Sequence, residues 1–232
     1  MLIANRDELH ERPTAAADYW PEHPHIIGGR DLLHGGTWLA IDQTGRLGAV
    51  TNFRDDAPPA QPRSRGDLVT DFMQSGHASA DFSETVNQRQ HTYAGFNLVI
   101  GQVGQPFHYR SNRDRSLPLS DGMYGISNGP LDNEWPKVKT TKARLSNWLQ
   151  QERQDIEALF EILADRHITA SDKADEWTQA LTAAFIVNPR YGTRASTCIL
   201  FGADGQALFE ERRFDATGQQ IGSSNFEFAL TH

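Results

Sequence analysis

Met1-Leu2-Ile3-Ala4-Asn5-Arg6-Asp7-Glu8 opens the chain, and a short apolar run there leads directly into four polar residues. The run from Leu2 to Asn5 predicts a β-strand, and the tetrad Asn5-Arg6-Asp7-Glu8 is typical of a strand that leaves a core and enters a site. Side chains of an extended strand alternate between faces, so we expect Arg6 and Glu8 on one face and Asn5 and Asp7 on the other. The alternative interpretation is an ion pair that caps the strand end and has no chemical role.

Strand signals occupy both ends of the chain, and helical signals occupy the middle. Trp38 to Ile41 and Arg46 to Thr51 predict a hairpin, and three further strands are predicted from Ser196 to the C-terminus. Apolar residues at helical spacing predict the helices between them, with Leu145, Trp148 and Leu149 facing inward in one of them. This order excludes a doubly wound parallel sheet and favours an α+β fold of antiparallel sheets covered by helices.

Other local signals give finer predictions. Arg12-Pro13 is expected to end the first strand, with a polar loop through Trp20 and Pro24 after it. Ser64 is expected to cap a helix that Gly76 ends. Residues 123–127 are predicted to form a strand that ends just before Asn128.

Composition narrows the function classes. A chain of 232 residues is sufficient for one domain, and we expect a single domain over residues 1–232. Its net charge of −8 argues against nucleic-acid binding, which favours basic surfaces. The sequence shows no apolar run of roughly 20 residues and no apolar leader, so we expect no membrane span and a cytoplasmic location.

The cysteine and histidine residues limit which disulfides and metal sites the chain can form. Cys198 is the only cysteine, so no intrachain disulfide can form, and its apolar surroundings predict a buried, inert thiol. His23-Pro24-His25 could bind a metal, but without a second cluster nearby in sequence a turn beside an exposed loop is preferred, and no metal site is predicted.

Six strings in order resemble one family. After the tetrad, the sequence carries Gly28-Gly29-Arg30-Asp31, Gly35-Gly36-Thr37-Trp38, Thr51-Asn52-Phe53-Arg54, Ser127-Asn128-Gly129-Pro130-Leu131-Asp132 with Trp135-Pro136-Lys137, and Tyr191-Gly192-Thr193-Arg194-Ala195-Ser196-Thr197. This set resembles the NRDE family, also called the transport-and-Golgi-organisation protein two family, from Leu2 to about Phe228. That family looks distantly similar to N-terminal-nucleophile amidohydrolases of the choloylglycine hydrolase and penicillin acylase type. The resemblance implies a four-layer α-β-β-α sandwich.

The resemblance also implies a nucleophile that this chain lacks. Family members usually carry a short extra segment ahead of the tetrad that starts Met-Cys, and neither the segment nor its Cys is present here. The run Met1 to Ala4 is interpreted as the second half of a strand. We therefore expect either a gene start placed at an internal methionine or a protein that lacks the segment, and in either case no thiol at the catalytic position.

Five residues are the candidate catalytic residues by this resemblance. Arg6 would lower the pKa of a nearby thiol, and Asp7 would hold the α-amine of the first residue, with Glu8 as the alternative acid. Asn52 and Asn128 would donate to an oxyanion, although an asparagine at a strand end also commonly forms a turn. Arg194 would support the nucleophile region or be a surface arginine at a strand start. If the resemblance holds, these side chains are expected to line one pocket.

Three functions follow as hypotheses. The first is hydrolysis of non-peptide C–N amide bonds, which requires no cofactor. The second is a non-catalytic carrier of haem, or of an acyl or lipid ligand, since family members have been linked to haem trafficking and to lipid metabolism. The third is a scaffold for membrane traffic. A small-molecule or lipophilic ligand is the expected partner.

Overall fold

The computed structural model describes residues 1–54, 58–151, 155–169 and 175–231. In chain order, the strands are β1 (Leu2–Leu9), β2 (Thr14–Trp20), β3 (His23–Asp31), β4 (Leu39–Asp42), β5 (Arg46–Asn52), β6 (Phe96–Gln102), β7 (Phe107–Ser111), β8 (Leu117–Leu119), β9 (Tyr191–Phe201), β10 (Gln206–Phe214) and β11 (Gln220–Ala229). The helices are α1 (Gly66–Ser75), α2 (Ser79–Arg89), α3 (Pro136–Leu149), α4 (Ile156–Leu163) and α5 (Glu176–Ala180), with a 3-10 turn at Gln90–Thr92. The chain divides into two compact units.

The first unit combines residues 1–12 with residues 134–228. Its sheet has the order β1-β9-β10-β11, and β9 pairs antiparallel with both β1 and β10. α4 packs on β1 and β9 and buries an apolar cluster that includes Phe160, Leu163 and Cys198. Ile3 of β1 packs against that cluster, which fixes the inner face of the first strand.

The second unit comprises residues 13–133 and the last residues from 229 onward. Its seven strands run in the order β2-β3-β4-β5-β6-β7-β8, and all neighbouring pairs are antiparallel. α1 and α2 pack on this sheet, with Phe72 and Phe82 in an edge-to-face contact at 5.3 Å within its core. The predicted α+β class with antiparallel sheets is confirmed, and the arrangement of four layers stays a prediction.

Several local predictions are confirmed by backbone geometry. β4 and β5 form the expected hairpin, whose turn places Gly45 at φ 78°, a left-handed conformation that glycine adopts without steric cost. Gly76 ends α1 at φ 65°. A Cβ on Gly29 would lie 2.3 Å from the Trp38 ring. The absence of a side chain at Gly29 therefore allows the indole to pack against its backbone.

Other local predictions are wrong. The polar loop expected after Arg12-Pro13 is instead the pair β2 and β3, because inward residues of both strands, among them Trp20, Ile26 and Ile27, are buried in the second unit. His23 and His25 therefore lie on a strand and not in a turn. By contrast, Ser64 caps α1 as expected, although it lies one position before the cap residue Arg65, since its Oγ accepts from the Gly66 N–H at 3.3 Å.

Two further corrections concern the middle of the chain. Residues 123–127 form no strand, and the short β8 precedes them. Leu149, expected to face inward, is 45% exposed, whereas Trp148 is buried. Of the helices in the described ranges, none is both long and apolar enough to cross a membrane.

Candidate active site

Asp7 is held on β1 by a two-step hydrogen-bond chain. The Thr193 hydroxyl donates to Asp7 Oδ1 at 2.6 Å, and the backbone N–H of Ile186 donates to Thr193 Oγ1 at 2.9 Å. Because the Ile186 N–H fills the acceptor side of that hydroxyl, its proton is directed at the carboxylate. Asp7 therefore has a fixed orientation before any ligand binds.

The pairing of β1 with β9 shifts register at this point. Arg6 lies opposite Ala195 and Asp7 opposite Thr193, so Arg194 is the extra residue of a β-bulge. Its guanidinium Nη1 donates to the carbonyl of Leu9 at 3.2 Å and also to that of Arg12. Arg194 thus binds the backbone at the end of β1. It lies within β9, which begins at Tyr191, and not at the strand start that the sequence indicated.

Charge distinguishes Asp7 from its neighbours. Burial raises the pKa of Asp7, and the opposing effects of Lys137, the Thr193 hydrogen bond and Arg6 are smaller. Burial also lowers the pKa of Lys137, and Asp7 acts in the opposite direction. Lys137 is the second residue of α3, where the helix dipole disfavours a cation. The carboxylate of Asp7 partly offsets that cost, since it raises the pKa of Lys137.

The other members of the tetrad have different partners. Arg6 lies 3.9 Å and Arg12 lies 3.6 Å from the Glu8 carboxylate, so Arg6 and Glu8 share a face as predicted. Asn5 is an anchor, since its Nδ2 donates to the carbonyls of Leu163 and Ala184 at 2.8 and 2.7 Å. Of the two candidate acids, Asp7 accepts a hydrogen bond from Thr193, and Glu8 lies near Arg6 and Arg12.

Asn52 and Asn128 meet in the second unit. Asn52 is the last residue of β5 and is exposed, and Asn128 lies in the loop that precedes α3. Asn128 Nδ2 donates to the backbone carbonyl of Asn52 at 3.0 Å, and the Arg54 N–H donates to the Asn128 carbonyl at 3.0 Å. The two asparagines are therefore direct neighbours although 76 positions separate them. That all five candidates line one pocket stays a prediction.

Comparison with known proteins identifies the family of the chain. The model of the family described as Transport and Golgi organisation 2 matches residues 1–216. The chain belongs to that family. It is 33% identical over 254 residues to the human Transport and Golgi organization protein 2 homolog, covering 99% of this chain and 92% of the relative. The Drosophila melanogaster Transport and Golgi organization protein 2 is 26% identical over 239 residues, with 91% and 84% covered.

A solved structure is also similar to this Transport and Golgi organisation 2 family chain. It is the Caenorhabditis elegans ortholog of N-acylethanolamine-hydrolyzing acid amidase, with a TM-score of 0.42 and 12% sequence identity. The similarity covers 84% of this chain and 85% of that one. The family resemblance inferred from the six strings is confirmed.

The family strings contain site residues that sequence reasoning missed. Lys137 and Thr193 both lie in strings that carry the resemblance, but neither was assigned a role. A lysine directly after a proline at a helix start was the available signal for Lys137, because a cation is unfavourable there. Thr193 had no such signal, since its contact with Asp7 spans 186 residues.

Cys198 is not a substitute nucleophile in this family member. It is fully buried in β9, and burial raises the pKa of its thiol to about 12, with Glu210 adding to the increase. A thiol of that kind is not ionised near neutral pH and is inert. The prediction of a buried, structural cysteine is confirmed.

Proposed function

We propose that the chain carries a ligand site of the N-terminal-nucleophile amidohydrolase type, suited to small molecules with a non-peptide C–N amide bond. The observation that carries the proposal is the Asp7 carboxylate on β1, which the Thr193 hydroxyl orients at 2.6 Å. This chemistry needs a group that orients the α-amine of the first residue, and an acid held on the first strand is placed for that role. In the proposed reaction, cleavage uses a cysteine ahead of β1.

The reaction assigns a step to each candidate. A thiolate attacks the amide carbonyl carbon and forms a C–S bond and an oxyanion, which Asn52 and Asn128 are proposed to stabilise through N–H donors. The C–N bond then breaks, and the amine leaves with the proton that the α-amine had accepted from the thiol. Water hydrolyses the thioester, giving a carboxylic acid and the free thiol. Asp7 orients the amine throughout, and Arg6 favours the thiolate.

The test adds the nucleophile. The full chain is extended with the family's N-terminal segment beginning Met-Cys, and a matched version carries Met-Ala. Release of aminomethylcoumarin from its long-chain acyl amide is the readout. We expect release only from the cysteine version, with a large loss in its Asp7→Asn variant and a smaller one in Glu8→Gln. Equal release from the cysteine and alanine versions would refute the proposal.

The carrier alternative rests on the family resemblance, because a chain of this family could bind an apolar ligand without cleaving it. For haem, it predicts a Soret band shift with purified chain that saturates near one equivalent of hemin. It also predicts that one histidine substitution removes most of the shift. A titration that never saturates, or that survives every single histidine substitution, argues for nonspecific adsorption.

A further inference from the structure

Residues 125–132 form a loop that is closed on itself. The Gly125 N–H donates to Asp132 Oδ1 at 2.7 Å, and the Asp132 N–H donates to the Gly125 carbonyl at 2.8 Å. Asp132 has φ 56°, a left-handed conformation that non-glycine residues seldom adopt. Such a conformation persists only where the surroundings over-determine it, so the loop has one defined shape.

Asn97 of β6 holds the middle of this loop. It is 1% exposed, and its Nδ2 lies 3.1 Å from the Ser127 carbonyl oxygen and 2.9 Å from that of Gly129. Both flanking carbonyls are bound by Asn97, whereas the carbonyl of Asn128 between them accepts from the Arg54 N–H at 3.0 Å. The side-chain amide of Asn97 therefore holds the backbone on both sides of Asn128.

Asn97 is itself held in place by a hydrogen bond from Tyr109. The Tyr109 hydroxyl, fully buried, donates to Asn97 Oδ1 at 2.7 Å, which directs the Asn97 NH₂ group to the loop. Tyr109 Oη also lies 3.2 Å from Asp114 Oδ2, and that carboxylate accepts from the Leu131 N–H at 3.0 Å. The network therefore makes hydrogen bonds to the centre of the loop, at Ser127 and Gly129, and near its end, at Leu131.

We propose that Asn97 is a positioning residue that sets the orientation of Asn128 for ligand binding. The inference rests on the proposed function only for what Asn128 does, whereas the positioning itself is a property of the folded chain. A buried side chain with this many partners is costly to lose and specifies a single arrangement. Asn97 touches no proposed reacting atom and acts through the loop.

The native chain provides the first test. Asn97→Ala is compared with Asn112→Ala, because Asn112 Nδ2 also lies within 3.3 Å of three backbone carbonyls, those of Gln90, Tyr93 and Ala94. Amide hydrogen exchange and the Asn128 side-chain NH₂ resonance are followed by NMR. We expect the Arg54 and Leu131 amides to exchange about tenfold faster relative to the core amide of Phe72 in Asn97→Ala only. The Asn128 resonance should shift in that variant alone.

Equal changes in the two alanine variants, or no change at Arg54, would overturn the inference. If Asn97→Ala does not fold, Tyr109→Phe is used, since it removes the orienting hydroxyl and keeps the ring. It should produce the same pattern in weaker form. An unchanged Asn128 resonance in Tyr109→Phe would likewise refute the inference.

The second test uses the cysteine-extended full chain. Asn97→Ala is expected to lower kcat about tenfold with KM little changed, and to have no further effect in an Asn128→Ala background. Additive losses would mean that Asn97 does not act through Asn128. If the extended chain hydrolyses nothing, the proposed function fails, and the exchange and resonance data alone decide the role of Asn97.

Discussion

At Asp7, three neighbours act on one carboxylate, and their balance determines its chemistry. Burial raises its pKa, while Lys137, Thr193 and Arg6 act in the opposite direction. Two positions earlier, Asn5 uses its whole amide to bind backbone carbonyls and the Ser196 hydroxyl. Within one tetrad, Asn5 therefore anchors the strand, whereas Asp7 carries a carboxylate that Thr193 orients.

The raised pKa of Asp7 gives a prediction for stability. The folded chain binds this proton more tightly than the unfolded chain, so the stability it contributes is lost as pH rises through the folded pKa. Asp7→Asn keeps the acceptor for Thr193 but does not titrate. We expect its free energy of unfolding, relative to the unsubstituted chain, to increase as pH rises from about 4 to about 8.

Urea unfolding at several pH values measures this difference. In a Lys137→Met background the increase should extend to higher pH, because Lys137 lowers the pKa of Asp7. A difference that stays flat with pH would contradict the assignment of Asp7 as a buried, perturbed acid.

Among the secondary-structure elements, α1 has carbonyl groups at its C-terminal end that accept hydrogen bonds from a strand residue. Arg46, at the start of β5, donates from its guanidinium to the carbonyls of Phe72 and His77, each at 2.8 Å. The same guanidinium lies 4.1 Å from the Phe72 ring centroid. The end of α1 is thus fixed by a residue of the sheet on which it packs.

Removing that guanidinium should destabilise the second unit. We expect Arg46→Met, which retains most of the apolar stem, to lower the free energy of unfolding by about 1–3 kcal/mol, because the buried Phe72 carbonyl and the His77 carbonyl lose a charged donor. Chemical denaturation measures the change. Arg54→Met is the control, since Arg54 is exposed and surface substitutions usually change stability by less than about 0.5 kcal/mol. Equal losses in the two variants would argue against the role of Arg46.

The first strand offers a second prediction about an element. β1 lies at one edge of the order β1-β9-β10-β11, and an edge strand presents backbone donors that lack a strand partner on one side. A chain extended by the family's N-terminal segment is expected to have a higher thermal midpoint than this chain. Scanning calorimetry of both chains measures the two midpoints, and equal midpoints would contradict the prediction.

For the whole molecule, the division of the chain is not sequential. The first unit needs residues 1–12 and residues 134–228, with nearly all of the second unit inserted between them. We expect the two units to unfold together as the single predicted domain. Hydrogen exchange with mass spectrometry under increasing urea should give one midpoint for peptides from both units. Two separated midpoints would instead define two domains.

How much of this was predictable follows from the range of each interaction. Glycines at turns, apolar spacing in α4 and the β4–β5 hairpin depend on neighbours in sequence, so local patterns predicted them. The six family strings identified Asp7, Arg194, Asn52 and Asn128 as candidates. The buried pair β2 and β3 was missed because prolines and polar residues concealed which side chains the sheet would bury.

The sequence by itself determined the family and the fold class. Only the tertiary structure decided which side chains meet: Thr193 with Asp7 across 186 residues, Asn128 with Asn52 across 76, and Asn97 with the Gly129 carbonyl across 32. The physical reason is that an asparagine or threonine has the same local propensity whether its hydrogen bonds go to a turn or to a distant loop. Its partner is fixed by strand register and packing, which depend on the folded chain as a whole.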